Sequence, residues 1–165
     1  MEHEIYVNEV IRDVIHEKTY RVLWISAPIS FIYWISLDTA ERIPKRLDIA
    51  EIRAGLDSGD YVAVEETRIP LVAEDDLTDE AKMHRDRIWN MLKDVLEKEP
   101  DIYEAKPRAA LLRMVAQKND MRANNLYPYL AKYWKRGKTP NAFLPDYRNC
   151  GRSRNYEKGG YKKLG

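Results

Sequence analysis

The stretch Tyr133-Trp134-Lys135-Arg136-Gly137-Lys138-Thr139-Pro140-Asn141-Ala142-Phe143-Leu144-Pro145-Asp146-Tyr147-Arg148-Asn149-Cys150-Gly151 sets the tightest limit on how this chain folds. It continues an apolar spacing, Leu126, Leu130, Tyr133 and Trp134 at i, i+4, i+7 and i+8, which is one face of an α-helix. Gly137 suits the left-handed residue that closes a helix, and Lys135 and Arg136 suit the negative end of its dipole. Pro140 and Pro145 lack a backbone donor and hold the residues before them extended. A helix therefore ends here, and an extended strap leaves it.

That helix is expected to start near Arg122 to Asn125. Its polar side carries Asn124, Asn125, Lys132, Lys135 and Arg136, with no carboxylate among them. Amides pair with adenine edges, Arg with guanine edges and Lys with phosphate. The candidate base-edge contacts are Arg122, Asn124, Asn125 and Arg136. The candidate phosphate contacts are Lys132, Lys135, Lys138, Arg148, Arg152 and Arg154. A merely solvated helix face has the same composition. Pro128 falls inside this helix, where proline costs roughly 3 kcal/mol. The spacing therefore predicts a start at Asn124 or Asn125, or a kink, so that Pro128 lies in or beside the first turn, whose N–H groups lack partners anyway.

Charge is unevenly spread. The formal net charge of the 165 residues is +1. Residues 130–165 hold ten Lys/Arg against two Asp/Glu, a net of +8, which leaves 18 against 25, a net of −7, for the rest. A polyanion would meet the carboxyl-terminal part. One Cys excludes an internal disulfide and a multi-Cys zinc site, which fits a reducing compartment. No apolar run is long enough to span a bilayer, and no signal peptide is visible.

Ile5–Val7, Val10 to Ile15, Tyr20 to Ser26 and Phe31 to Leu37 are rich in β-branched and aromatic residues and read as strands, with Trp24 and Trp34 packed inside. Exposed aromatics on a small barrel can also stack on bases. Pro44 to Arg46 leads into a short helix opened by Asp48 and Glu51, and Tyr61 to Val64 reads as a closing strand. Residues 1–68 are thus expected to form a small barrel-like β domain with one helix, and residues 69–77 a linker. Residues 78–137 are expected to form a three-helix helix-turn-helix domain. Its first helix runs from Thr78 to Glu99, and its second from Pro107 to about Lys118 with Leu111, Leu112 and Val115 inward. Residues 138–165 form the basic strap. The fold class is α+β.

No catalytic constellation is visible. His3, His16 and His84 are scattered, Cys150 has no local partner, and the acidic run Glu74, Asp75, Asp76 reads as a helix N-terminus rather than a metal site. The strap pattern, with Tyr133, Trp134, Arg136, Gly137, Thr139, Pro140, Asn141, Ala142, Leu144, Pro145, Asp146, Tyr147, Asn149 and Gly151, resembles the segment after the helix-turn-helix of TnsB-type transposases. These belong to the group that includes Mu transposase and retroviral integrases. Phe143 and Cys150 stand where Leu and Ser are expected. The upstream likeness is looser and covers the whole chain.

The resemblance implies an N-terminal region that binds double-stranded DNA at transposon ends. The three-carboxylate, Mg²⁺-dependent RNase H-like domain would lie beyond residue 165, so no cofactor and no catalytic residue is expected here. It also implies TnsA-like endonuclease and TnsC-like ATPase partners, no membrane, and a bacterial cytoplasmic, nucleoid-associated location. A helix-turn-helix transcription regulator and a protein-interaction module of the transposition machinery are the alternative readings.

Overall fold

The computed structural model describes residues 3–65 and 72–145. The amino-terminal half is an antiparallel sheet of β1 (Val10–Asp13), β2 (Lys18–Ile25), β3 (Phe31–Ser36), β4 (Lys45–Asp48) and β5 (Tyr61–Val64), in the order β4-β3-β2-β1-β5. It is an open sheet with two edge strands, not the barrel-like closure expected. Helix α1 (Ile49–Ser58) leaves β4, packs along the sheet and returns the chain to β5, so it covers what closure would otherwise have hidden. Gly55 allows that close return, because a Cβ there would stand 2.5 Å from the Tyr61 ring.

Two further expectations fail in this half. Ile5–Val7 is irregular, and β4 lies where the chain was read as leading into a helix. Lys45-Arg46-Leu47-Asp48 has one apolar residue and belongs to an edge strand, so no alternation reveals it.

β3 reads Phe-Ile-Tyr-Trp-Ile-Ser, and five of its six residues are buried. A strand apolar on both sides needs cover on both faces. On one face Val22, Ile32, Trp34 and Ile11 pack with Ile49 and Ile52 of α1. On the other, Leu23, Tyr33 and Ile35 enter one core with residues of three later helices. The β half and the helical half therefore share a core.

Those helices are α2 (Asp79–Leu96), α3 (Ala105–Lys118) and α4 (Tyr127–Lys135). Thr78 caps α2, its hydroxyl oxygen accepting from the Ala81 N–H at 3.1 Å. α2 stops at Leu96, three residues short of the expected Glu99. α4 is preceded by a 3-10 turn, Ala123–Asn125. Pro128 is accordingly in the first turn of α4, as the sequence requires. After α4 the strap tightens into a 3-10 turn at Pro140–Phe143.

Candidate nucleic-acid interface

The described part of the strap, up to Pro145, does not lie across the surface. Trp134, Ala142 and Phe143 are each at most 1% exposed and sit in the shared core, while Leu144 packs with Leu77 and Ala81. The Tyr133 and Phe143 rings stack at 5.8 Å. Arg85, itself buried, donates to both Glu74 oxygens at 2.9 Å and to the Asn141 side-chain oxygen at 3.0 Å. Asn141 thus ties the strap to α2, and Arg85 holds the Glu74 carboxyl below its usual range.

The helix end is equally occupied. Gly137 has φ 102 and Lys138 φ 62, and the Lys138 N–H donates to the Tyr133 carbonyl at 2.8 Å, which closes α4 in a Schellman-type turn. Four contacts then fasten this turn to the β half. The Arg21 guanidinium, 1% exposed, donates twice to the Lys135 carbonyl at 3.2 Å and once to the Asn8 carbonyl at 3.0 Å. A buried cation therefore satisfies one of the helix's terminal acceptors. The Asn8 amide donates to the Gly137 carbonyl at 2.9 Å. The Lys135 ammonium donates to the Thr39 carbonyl at 2.9 Å. The Lys138 ammonium donates to the Leu23 carbonyl and to Glu99, each at 2.7 Å.

The last contact depends on a β-bulge. The β2–β3 register shifts between Val22 and Trp24, so Leu23 is the extra residue. A bulged residue leaves the ladder, and its carbonyl takes Lys138 instead. Glu99 also accepts from the Tyr103 hydroxyl. Burial first, and then that bond, push the Tyr103 phenol above its ordinary range.

Three residues expected to meet DNA are therefore employed in the fold. Lys138 and Lys135 hold carbonyls of the β half. Arg136 donates to the Ala142 and Leu144 carbonyls, at 3.3 and 3.5 Å, and so folds the strap back on the helix end. Burial, with Arg42 nearby, lowers the Lys135 ammonium pKa against the opposing pull of Glu41. Within α4 only Pro128 is exposed, so the helix does not present the open polar side its spacing suggested. The cause is tertiary: long cationic stems reach across to carbonyl acceptors that sequence cannot place. Arg148, Arg152 and Arg154 lie outside the described residues.

Both halves match models of known domains. Residues 4–66 match the TnsB N-terminal SH3-like domain, and residues 85–147 match the TnsB second domain. The two matches together mark an N-terminal TnsB-type region. A curated relative is the Transposon Tn7 transposition protein TnsB of Escherichia coli, 26% identical over 146 residues. That alignment covers 88% of this chain and 20% of the relative, so the chain spans about a fifth of that protein's length.

Among the described residues of α3, α4 and the strap, the exposed cations lie upstream of the strap. Arg122, Asn124 and Asn125 are exposed around the 3-10 turn that begins α4, and Lys132 is half-buried. α3 adds a stripe the sequence reading did not single out. Lys106, Ala110, Arg113 and Gln117 follow one another at i, i+4, i+7 and i+11, all exposed, with Lys118 beside them and Met114 66% exposed. The signal was available: Leu112, Val115 and Ala116 fix the inward face, and what remains outward carries no carboxylate. Residues 105–145 hold nine Lys/Arg and one Asp, Asp120.

The β half offers less to a base. Trp34 is buried and stacked on Tyr20 at 4.1 Å, and Trp24 packs against the helical core. A cavity of about 470 Å³ beside that stack is rimmed by Lys18, Arg42, Lys45 and Glu41. Among the described residues no helix is long and apolar enough to cross a membrane.

Proposed function

We propose that this TnsB-type region binds double-stranded DNA at transposon ends, as the non-catalytic recognition part of a DDE-type transposase. The observation that carries the reading is the predominantly positive surface running from α3 into the start of α4. Lys106, Arg113, Lys118 and Arg122 are exposed there with Asn124 and Asn125, and Asp120 is the one carboxylate in the segment.

Affinity in this scheme comes from Lys and Arg on phosphate, with counterion release making it steeply salt-dependent. Specificity comes from Arg122, Asn124 and Asn125 on base edges, at roughly 1–3 kcal/mol per good bidentate pair. The strap's part is indirect: it packs on α2 and α4, while the turn before it fastens the end of α4 to the β half. The Mg²⁺-dependent strand chemistry, and contacts with TnsA-like and TnsC-like proteins on the bacterial nucleoid, belong to the longer protein.

Fluorescence anisotropy with the element's own ends and with a random duplex, each at two salt concentrations, tests the reading. Tighter binding to the ends, with a salt slope that falls when Arg113 is removed, supports it. Equal binding to both duplexes removes end recognition. No binding at low salt removes DNA binding altogether.

A further inference from the structure

Among the described residues, the outward faces of the four α-helices differ in kind. α1 exposes Glu51 and Asp57, and α2 exposes Asp79, Glu80, Asp86 and Asp94, carboxylates that a phosphate backbone repels. α4 exposes only Pro128. α3 exposes residues along its whole length, from Ala105 to Lys118, and none is a carboxylate. The arrangement of residue types across that face is a second observation. At about 100° per residue, Ala110, Met114 and Gln117 fall within about 60° of one another. Arg113 lies about 60° from Ala110 on one side, and Lys118 about 80° on the other. The middle of the face is therefore neutral and both margins are cationic. Met114 is 66% exposed, and no hydrogen bond or ion pair among the described residues engages the side chains of Arg113, Gln117 or Lys118. The nearest carboxylates along the chain, Glu104 and Asp120, stand beyond the two ends of the helix.

We propose that α3 itself lies in the major groove, with Gln117 on an adenine edge and Met114 and Ala110 against thymine methyl groups. The inference rests on the DNA reading above and deepens it by adding base contacts from a helix otherwise assigned only phosphates. The major groove is about 12 Å wide, and a helix with its side chains is about 10–12 Å across, so one fits the other. Seated with its neutral middle inward, α3 turns Arg113 toward one sugar-phosphate wall and Lys118 toward the other. A glutamine amide offers one acceptor and a donor pair, which match the N6 donor and N7 acceptor of adenine. Met114 and Gln117 are three residues apart, so their Cβ atoms are about 5–6 Å apart. That is between one and two base-pair steps of about 3.4 Å. The two side chains thus meet neighbouring pairs, and the small Ala110 side chain lets the helix backbone come close to the bases. Carboxylates on α1 and α2, and the covered face of α4, deny the other helices this placement.

The test is anisotropy with end duplexes in which each adenine in turn is 7-deazaadenine and each thymine in turn is uracil. The first change removes the N7 acceptor and the second the methyl group, and base pairing survives both. The proteins are the wild type, Gln117→Ala, Gln117→Arg, Met114→Ala and Asn125→Ala, each checked for folding by circular dichroism. The wild type is expected to lose about five- to hundredfold in affinity at one 7-deazaadenine to which Gln117→Ala is indifferent and Asn125→Ala is not. Uracil at a neighbouring pair should weaken the wild type a few-fold and leave Met114→Ala unchanged. Gln117→Arg should prefer guanine where the wild type prefers that adenine. If Gln117→Ala keeps every penalty of the wild type, or weakens end and random duplexes alike, α3 lies outside the groove and the DNA reading stands. Equal binding of the wild type to end and random duplexes removes end recognition and this inference together. Absence of binding to either duplex removes the DNA reading as well.

Discussion

Residues 133–145 and residues 105–125 are both rich in Lys and Arg, and the fold treats them oppositely. In the first, Lys135 and Lys138 donate to backbone carbonyls of the β half, and Arg136 donates to carbonyls of the strap itself. In the second, Arg108 alone is buried and donates to the Ile102 carbonyl, while Lys106, Arg113, Lys118 and Arg122 are exposed. The difference teaches that a positive count along the chain does not locate a polyanion surface. The position of acceptors does: a bulge at Leu23, the end of α4 and the folded-back strap all present carbonyls that cations satisfy.

The comparison breaks most visibly at Trp134, which fills the shared core at 1% exposure. Trp134→Ala is expected to cost about 3–5 kcal/mol in chemical denaturation, enough to remove most of the stability of such a domain. A small loss there would mean that the strap is peripheral. Lys138→Met comes next, at about 1.5–3 kcal/mol, because Leu23 and Glu99 lose a charged donor. Its DNA salt slope should stay at the wild-type value, since that ammonium meets protein.

On the exposed side, Asn125→Ala is expected to narrow the gap between end and random DNA by roughly 1–3 kcal/mol in competition binding, with the midpoint of unfolding unchanged. Arg113→Ala should move stability by no more than about 0.5 kcal/mol. It should reduce the logarithmic salt slope by about 0.9, the share of one phosphate contact. The smallest effect is one of pH on folding. His84 titrates below its unfolded value near 6.5, so the folded chain binds fewer protons. Its neutral ring favours folding fully above that pH and loses the advantage as pH falls below it. His84→Gln should flatten that part of the stability profile.

Much of this was legible beforehand, for physical reasons that differ by element. β2 and β3 announced themselves through β-branched and aromatic runs, and α2 and α3 through spacing and the cap at Thr78. Pro128 located the start of α4 only approximately, at Asn124 or Asn125 against the observed Tyr127, because it excludes all but the first turn without fixing the first residue. β4 was hidden by its polar edge-strand sequence. The strap was recognised by its pattern but misjudged in place. Its glycine, prolines and aromatics serve a helix stop and a core, and those requirements alone make a motif specific. The outward side of α3 was readable from its inward side, whereas the partners of Lys135 and Lys138 lie 96 and 115 residues away in sequence. No local rule reaches that far.

The central claim is that the strap builds the fold while α3 and the turn after it meet DNA. The most direct measurement is a titration of the isotopically labelled chain with the end duplex, followed by side-chain NMR signals of Lys and Arg. The account predicts that the signals of Lys106, Arg113, Lys118 and Arg122 shift with added duplex while those of Lys135 and Lys138 stay in place. Movement confined to Lys135 and Lys138, with the α3 signals unmoved, would contradict it.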